Sequence, residues 1–364
     1  MNRRTYLQLC GAAVCSTAFR ICSKAETSKL AMPGPYPGRV VAVESAASVH
    51  GGKLAKDPIR SMLQKGMCEL TGAPAWQDAW RQFFEPGDVV GIKINPCGYP
   101  VCTGPEVLMP VIEGITSAGV KMQDIVVYER YQSMLVQSGT MKWLPAGLRV
   151  MHAAEAYTDI QTGIDGYDPD HYVELPFVWP GLDANDENAR RSHAALFLSK
   201  HVNKVINLPV LKDHEAAGVT LALKNMSHGM FNNVNRSHPN KNLTRMVDFI
   251  PPVVFAPIVR NRVVLHILDG IRGIYHGGPV LQGEQFMWEA KTLYFATDPV
   301  AMDLIGWRVI DAKRVKEKFK PVAENIPDGY GETVHRQPEH IIAAGKLGLG
   351  EWDLSKIDLR HVAV

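Results

Sequence analysis

The chain has 364 residues, 46% of them hydrophobic and 21% charged, which is the composition of a globular protein with a large core. Its formal net charge is +2. The sequence has no basic stripe and no basic run interleaved with aromatic residues, so we do not expect nucleic acid as a partner. No apolar stretch reaches the roughly 20 residues of a membrane-spanning helix, so we expect no transmembrane helix in the mature chain.

The amino terminus has the layout of an export signal. Arg3 and Arg4 precede a short apolar run, and small residues then offer cleavage points after Ala25 or Ala31. This order predicts a twin-arginine signal peptide over residues 1–31; an amphipathic first helix is the alternative. We therefore expect the twin-arginine export machinery as a partner and a periplasmic or extracellular location.

The cysteines divide between the expected signal and the mature chain, which keeps Cys68, Cys97 and Cys102. An oxidising compartment permits a disulfide between Cys97 and Cys102, and unpaired thiols are the alternative. Three cysteines do not supply the four thiolates of a ferredoxin-type cluster, so we do not expect an iron–sulfur cluster.

Short apolar runs alternate with longer helical patterns along the chain. The predicted strands are 39–45, 89–95, 124–128, 148–152, 204–211, 262–268, 292–296 and 357–364. The predicted helices are 58–70, 75–84, 104–119, 216–226, 243–250, 253–259, 299–318 and 338–346. This alternation predicts an α/β fold with a mostly parallel sheet flanked by helices, in one domain over residues 32–364. The polar, turn-rich segment 160–190 is expected to be a loop insertion.

Polar residues cluster where the predicted strands end. They are Lys93 with Asn95, Glu129 with Arg130, the run from Lys212 to Glu215, Asp269, and Asp298. Ligand sites of parallel sheets form beyond the carboxyl ends of the strands. A single polar residue at such a place is usually a cap, but this repetition predicts one shared cleft.

The segment after residue 211 contains several polar and ionisable residues. Lys224, Asn225 and His228 lie in a predicted apolar helix. If Lys224 is buried it needs a partner, for which Asp269 or Glu129 is suitable; the alternative is that its side chain reaches the surface. On a continuous helix His214 and His228 would be about 21 Å apart and could not share a metal ion.

We assign candidate roles from side-chain chemistry. The candidate catalytic residues are Lys224, His214 and Lys93, and the tentative ligands of a divalent metal are Asp269, Glu129 and Asp298. The candidate ligand-binding residues are Asn95, Lys212, Asn225, Gly270, Gly277 and Gly278. The glycines belong to a loop whose backbone N–H groups can bind an anion, and a plain glycine-rich turn is the alternative. Asp298 before Pro299 is also a sufficient helix cap.

Several motifs resemble those of a known family. They are PGDVVGIKINPCG (86–98), VINLPVLKDHEAAGVTLALKNMSHG (205–229), LHILDGIRGIYHGGP (265–279), ATDPVAMDLIG (296–306) and HIIAAGKLGLG (340–350). In this order they resemble the family called domain of unknown function 362. The resemblance implies that Lys93, Asn95, His214, Lys224, Asn225, Asp269, Asp298 and Asp303 are motif positions, without giving them roles. Some members carry ferredoxin-like cysteine motifs, which imply iron–sulfur or redox functions; this chain lacks those cysteines.

Together these observations predict an exported enzyme that acts on a small anionic substrate, with a divalent metal as an optional cofactor. Two other hypotheses remain open. One is a periplasmic redox protein whose cofactor is loaded before export, and the other is a non-catalytic ligand-binding or assembly-factor protein.

Overall fold

The structure is a computed structural model that describes residues 19–21, 28–324, 329 and 335–364. Most of the expected signal peptide, including the cleavage point after Ala25, therefore lies outside the described residues. Among the helices of the described segments, none combines the length and apolarity needed to cross a membrane.

The strands match most of the apolar runs of the sequence. They are β1 (Arg20–Ile21), β2 (Arg39–Glu44), β3 (Val49–His50), β4 (Lys53–Leu54), β5 (Val90–Lys93), β6 (Ile125–Tyr128), β7 (Arg149–Met151), β8 (Tyr167–Glu174), β9 (Arg191–Ala195), β10 (Lys204–Asn207), β11 (Val210–His214), β12 (Gly218–Thr220), β13 (Val263–Ile274), β14 (Met287–Trp288), β15 (Thr292–Ala296) and β16 (Asp358–Ala363).

The helices lie between them. They are α1 (Lys56–Thr71), α2 (Trp76–Arg81), α3 (Pro105–Ser117), α4 (Gln132–Gln137), α5 (Glu187–Arg190), α6 (Ala222–Met230), α7 (Met246–Phe255), α8 (Pro257–Arg262), α9 (Pro299–Lys316) and α10 (His340–Lys346).

The main sheet is mostly parallel. Its strand order is β16-β2-β15-β13-β10-β5-β6-β7, and every adjacent pair along it is parallel except the two pairs that β15 makes. The central strands β5 and β6 are buried along their whole length, because helices cover both faces. The predicted α/β fold class is confirmed.

Two hydrophobic layers enclose the sheet. Helices α1 and α3 pack on one face, where Ile59 and Val107 meet Ile92 of β5. Helices α6, α7 and α9 pack on the other, where Met226 and Phe249 belong to a second cluster. Lys93 follows Ile92 in a strand whose side chains alternate, so it points into the layer that holds α6.

The direction of β15 separates one predicted site residue from the others. Because β15 runs antiparallel to β2 and β13, its carboxyl end lies at the edge of the sheet where its neighbours begin. Asp298 therefore lies beside Gly38, just before β2. The prediction that all five strand-end clusters share one edge is wrong for Asp298.

The segment between β10 and α6 also differs from prediction. The strand is interrupted at Leu208 and Pro209. The chain then forms a hairpin in which β11 pairs with β12, from Lys212↔Thr220 to His214↔Gly218. The helix begins at Ala222, not at residue 216. Gly218 has a φ of +80°, a conformation that suits glycine and turns the chain back.

Other segments differ in smaller ways. Segment 160–190, expected to be a loop, contains β8, which pairs with β9 in a small separate sheet. Pro251 and Pro252 lie inside α7 instead of dividing two helices. Strand β13 continues through Asp269 to Ile274, so the residues predicted to follow this strand belong to it.

Candidate functional site

Lys93 forms the buried end of β5. Its side chain is 1% exposed, and its ammonium donates to Glu129 Oε2 at 2.9 Å, to the Ile94 carbonyl at 2.6 Å and to Asn225 Oδ1 at 3.2 Å. Glu129 also accepts the backbone N–H of Arg130 through Oε1 at 2.7 Å. The charges of Lys93 and Glu129 are thus fully paired, which a buried ion pair requires to be tolerated.

A row of amide side chains extends this network across the strand ends. Asn225 Oδ1 also accepts from Asn95 Nδ2 at 3.2 Å, and Asn225 Nδ2 donates to Asn207 Oδ1 at 2.8 Å. Lys212 donates to Asn95 Oδ1 at 3.2 Å and to the carbonyl of Cys97. The predicted residues Lys93, Asn95, Lys212 and Asn225 are therefore brought together. Their side chains form hydrogen bonds with one another, which fixes their positions at the strand ends.

Helix α6 is held at both ends by hydrogen bonds from side chains of other elements. At its start Asp303 of α9 accepts the N–H of Ala222 at 2.7 Å and that of Leu223 at 2.8 Å. At its end Arg130 donates to the carbonyls of His228, at 2.8 Å, and Phe231, at 3.1 Å. Burial raises the pKa of Asp303 to about 8, so its contribution is the two hydrogen bonds that it accepts rather than a full charge. The contacts at both ends satisfy groups without a partner inside the helix and fix the position of Lys224 and Asn225.

One glycine permits close packing of α6 against the sheet. A Cβ atom on Gly229 would lie 2.0 Å from Cε of Lys93. The absence of a side chain at Gly229 thus leaves the passage through which Lys93 reaches Asn225 and Glu129.

Lys224 differs from the other buried lysines. It is 8% exposed, yet among the described residues no hydrogen bond or ion pair reaches its ammonium. Its two predicted partners are engaged elsewhere, Glu129 with Lys93 and Asp269 with the N–H of Ile271 at 3.1 Å. The pKa of Lys224 is lowered to about 8, mainly by burial; Cys97 and Glu215 oppose this shift, and the nearby cations Arg130 and Lys93 contribute to it.

Histidines surround this ammonium. The ring of His238 lies 5.9 Å from that of His214 and 5.6 Å from that of His228, measured between centroids. The pKa of each of these rings is lowered by burial and by the charge of Lys224, to about 3 for His238. His340 of α10 is affected in the same way, with a pKa of about 4. The four rings are therefore neutral near pH 7.

Hydrogen bonds assign the tautomers of two rings. His214 Nδ1 accepts from the N–H groups of Ala216 and Ala217 at 3.0 and 3.2 Å, which places the ring proton on Nε2. The hydroxyl of Ser237 donates to the Val234 carbonyl at 2.6 Å and so accepts from His238 Nδ1 at 2.9 Å. His238 is thus left with a lone pair on Nε2.

The hairpin explains why the spacing argument for the histidines is wrong. The prediction of 21 Å between His214 and His228 assumed one continuous helix. In the structure His214 belongs to β11 and His228 to α6, and both rings lie close to the ring of His238, at centroid distances of 5.9 and 5.6 Å. The separation of the rings is set by the fold and not by the helical rise.

The glycine-rich loop serves mainly the packing of the site. Gly278 donates its N–H to Asp213 Oδ1 at 2.7 Å, and a Cβ on Gly278 would lie 2.3 Å from the Asp213 carbonyl oxygen. Asp213 Oδ2 in turn pairs with Arg336 at 3.1 Å and Arg314 at 3.6 Å. Gly277 has a φ of +72°, whereas Gly270 lies within β13 opposite Thr292.

One of the candidate metal ligands, Asp298, lies away from the other two. Asp269 is buried beside Lys212, and burial raises its pKa to about 7. Asp298 lies at the opposite edge of the sheet and accepts four backbone N–H groups. Across residues 28–324 and the other described segments, no group of three His, Cys, Asp or Glu side chains is placed to hold a metal ion. The cysteines Cys97 and Cys102 are both free thiols.

The family model described as "Domain of unknown function (DUF362)" matches residues 90–308, more than half of the chain. The chain belongs to the DUF362 family. This match confirms the resemblance seen in the motifs, and it spans the DUF362 residues Lys93, Lys224 and Asp303.

Other comparisons add little to the DUF362 assignment. No curated protein matches the chain. A crystal structure of a Thermotoga maritima protein, determined by a structural genomics consortium, is similar with a TM-score of 0.36 and 10% identity. The similarity covers 74% of this chain and 61% of that one, so this chain spans less than two thirds of its length. A likeness of this size carries no argument about activity.

Sequence reasoning missed several residues of this DUF362 site. Asn207 ends β10 in register with Lys93 of β5 and His266 of β13, and its amide contacts Asn225 and, at 3.2 Å, His266 Nδ1. A polar residue that ends a buried strand is the same signal that identified Lys93. His238 had no such signal, because it lies in a loop far from any predicted strand.

Proposed function

We propose that this protein is an exported DUF362 enzyme that acts on a small anionic substrate, which binds against Lys224. The observation that supports this most directly is that the ammonium of the largely buried Lys224 has no acceptor among the residues that the structure describes. A charge taken out of water is strongly unfavourable unless it is paired, and an anion would supply the missing pair. Lys93 and Lys212 have protein acceptors and do not need one.

The surrounding side chains favour an anion over a cation. In the described part of the chain, the charged groups that act most strongly on Lys224 are the cations Arg130 and Lys93, the exposed carboxylate Glu215 and the thiol of Cys97. The histidines stay neutral, so His214 Nε2–H can donate a hydrogen bond without adding charge. In a water-poor site such donors stabilise negative charge that develops during a reaction.

The first experiment measures anion binding. We expect small carboxylates, phosphate or sulfate to raise the Tm of the wild-type protein in a concentration-dependent way. Lys224→Met should weaken the affinity at least about 30-fold, since it removes one partner of a buried charge pair. If none of the anions shifts the Tm, or if Lys224→Met binds them as well as wild type, the proposed site is incorrect. Product formation from a bound anion would then separate an enzyme from a binding protein.

Export is tested separately. The motivation is the arginine pair at Arg3 and Arg4 ahead of an apolar run. We expect cell fractionation to find the wild-type protein in the periplasm or medium and the double variant Arg3→Lys/Arg4→Lys inside the cell. Equal export of both proteins would show that the pair is not a twin-arginine signal.

A further inference from the structure

We propose that Lys224 is a nucleophile that forms an imine with the carbonyl group of a small 2-oxo acid. This inference rests on the proposed anion site and narrows the substrate to an anion that carries an aldehyde or ketone next to its carboxylate. It assigns Lys224 a covalent role, whereas anion binding alone requires only its charge.

The three buried lysines of the site show why Lys224 is the candidate. The ammonium of Lys93 has three acceptors, including the carboxylate of Glu129 at 2.9 Å. Lys212 donates to Asn95 and to a backbone carbonyl. Both are bound by acceptors of the protein. Within the described part of the chain Lys224 has no such acceptor, so nothing in the protein ties its nitrogen to the protonated form.

Burial and the cations Arg130 and Lys93 favour the neutral amine of Lys224, while Cys97 and Glu215 favour its charged form. Eight charged or titratable groups of the described segments interact electrostatically with Lys224. They are Lys93 of β5, Arg130 after β6, His214 of β11, Glu215 of the hairpin turn, His228 of α6, His238, His340 of α10 and Cys97. Two of these are cations and four are neutral rings. With a pKa of about 8, roughly a tenth of the lysine is the free amine at pH 7, and an amine activated by burial is a known route to imine chemistry.

The reaction balances without a redox partner. The lone pair of the Lys224 nitrogen attacks the carbonyl carbon, a C–N bond forms, and the carbonyl oxygen takes up a proton. The carbinolamine then loses this oxygen as water with the two protons that the amine carried, and a C=N bond results. His238 Nε2, whose lone pair is available, can accept a proton from the carbinolamine nitrogen, and His214 Nε2–H can donate a hydrogen bond to the oxygen. The imine formed in this way is neutral, and a proton from solvent water converts it to an iminium whose positive charge lies next to the substrate carboxylate.

Borohydride trapping tests the inference on the full chain. The protein is incubated separately with glyoxylate, pyruvate and 2-oxoglutarate, reduced with sodium borohydride, digested and mapped by mass spectrometry. We expect at least one acid to label Lys224 at least about tenfold more than any other lysine. Trapping should increase between pH 6 and pH 8, because the free amine increases over this range.

Two lysine-to-arginine variants make the result decisive. Lys224→Arg keeps the charge but not the nucleophile, so it should lose the label while the acids still raise its Tm. Lys313→Arg, in a surface pair with Glu317, should label like wild type.

The outcomes separate the two proposals. If the acids raise the Tm of the wild-type protein but leave Lys224 unlabelled, or label all lysines alike, the imine is ruled out and the anion site stands. If the acids neither bind nor label, the imine is ruled out, and the wider anion screen decides the proposed site.

Discussion

Replacing Lys224 by methionine is expected to stabilise the fold while it removes anion binding. The pKa of Lys224 falls from its ordinary value of 10.5 to about 8, which corresponds to about 3 kcal/mol of unfavourable free energy for the charged form in the folded protein. Methionine fills a similar volume without a charge. Urea unfolding at pH 7 should therefore give a free energy of unfolding about 3 kcal/mol higher for Lys224→Met.

The pH dependence gives the sign of this effect an independent check. Between pH 8 and 10.5 the unfolded state of the wild type binds more protons at Lys224 than the folded state does, so its stability rises with pH over that window. The advantage of Lys224→Met should be full below pH 8 and should vanish near pH 10.5.

Lys93→Met is the matched control, and its effect should have the opposite sign. It leaves Glu129 buried without its ion-pair partner and should cost about 3–5 kcal/mol. If Lys224→Met were as destabilising as Lys93→Met, the ammonium of Lys224 would have a partner in the folded protein, and the basis for the anion site would be lost.

Replacing Asp298 by alanine is expected to destabilise the protein by about 4 kcal/mol. Its Oδ1 accepts the N–H groups of Val300 at 3.0 Å and Ala301 at 2.9 Å at the start of α9. Its Oδ2 accepts those of Gly38 at 2.9 Å and Glu351 at 2.8 Å. One buried carboxylate thus joins α9 to the chain before β2 and the chain after α10, and alanine would leave all four donors without it.

Asp298→Asn distinguishes this role from metal binding. The asparagine oxygen can keep the two bonds within α9, but its NH₂ group would face the donors of Gly38 and Glu351. We expect a loss of about 2 kcal/mol in urea unfolding. A variant of unchanged stability that binds a divalent metal more weakly than wild type would support the metal role instead.

The close packing around Asp298 also explains a small residue in the last motif. A Cβ on Gly350 would lie 1.9 Å from Asp298 Oδ1. The glycine therefore allows the carboxylate to reach the N–H of Glu351, and this part of the family motif serves the fold.

Much of the candidate site was predictable because its residues follow a local rule. Lys93 and Asn225 were identified as polar residues in apolar segments, and both lie in one buried network with Asn95 and Lys212. Parallel β5 and β10 end at the same level, which is why residues far apart in the chain meet. The same rule, that polar residues ending buried parallel strands meet at one edge, also applies to Asn207 and would have placed it in the site.

The rule failed where the direction or the extent of an element depends on distant contacts. For Asp298 the local pattern of a strand followed by a proline-capped helix was correct, but the antiparallel pairing of β15 put it at the other edge. For the segment after His214 the hairpin pairing of β11 with β12 replaced the expected start of the helix at residue 216.

The sequence by itself determined the α/β class, the position of most strands and the chemical character of the strand ends, because hydrophobic periodicity and turn residues act over a few neighbouring positions. Only the tertiary structure decided which charges are paired. From the sequence, Glu129 could form an ion pair with either Lys93 or Lys224. The register of β5 and β6 and the small Gly229 place Glu129 against Lys93. Lys224 is left buried among neutral histidines, since α6 presents it to a loop and a hairpin whose positions no local pattern specifies.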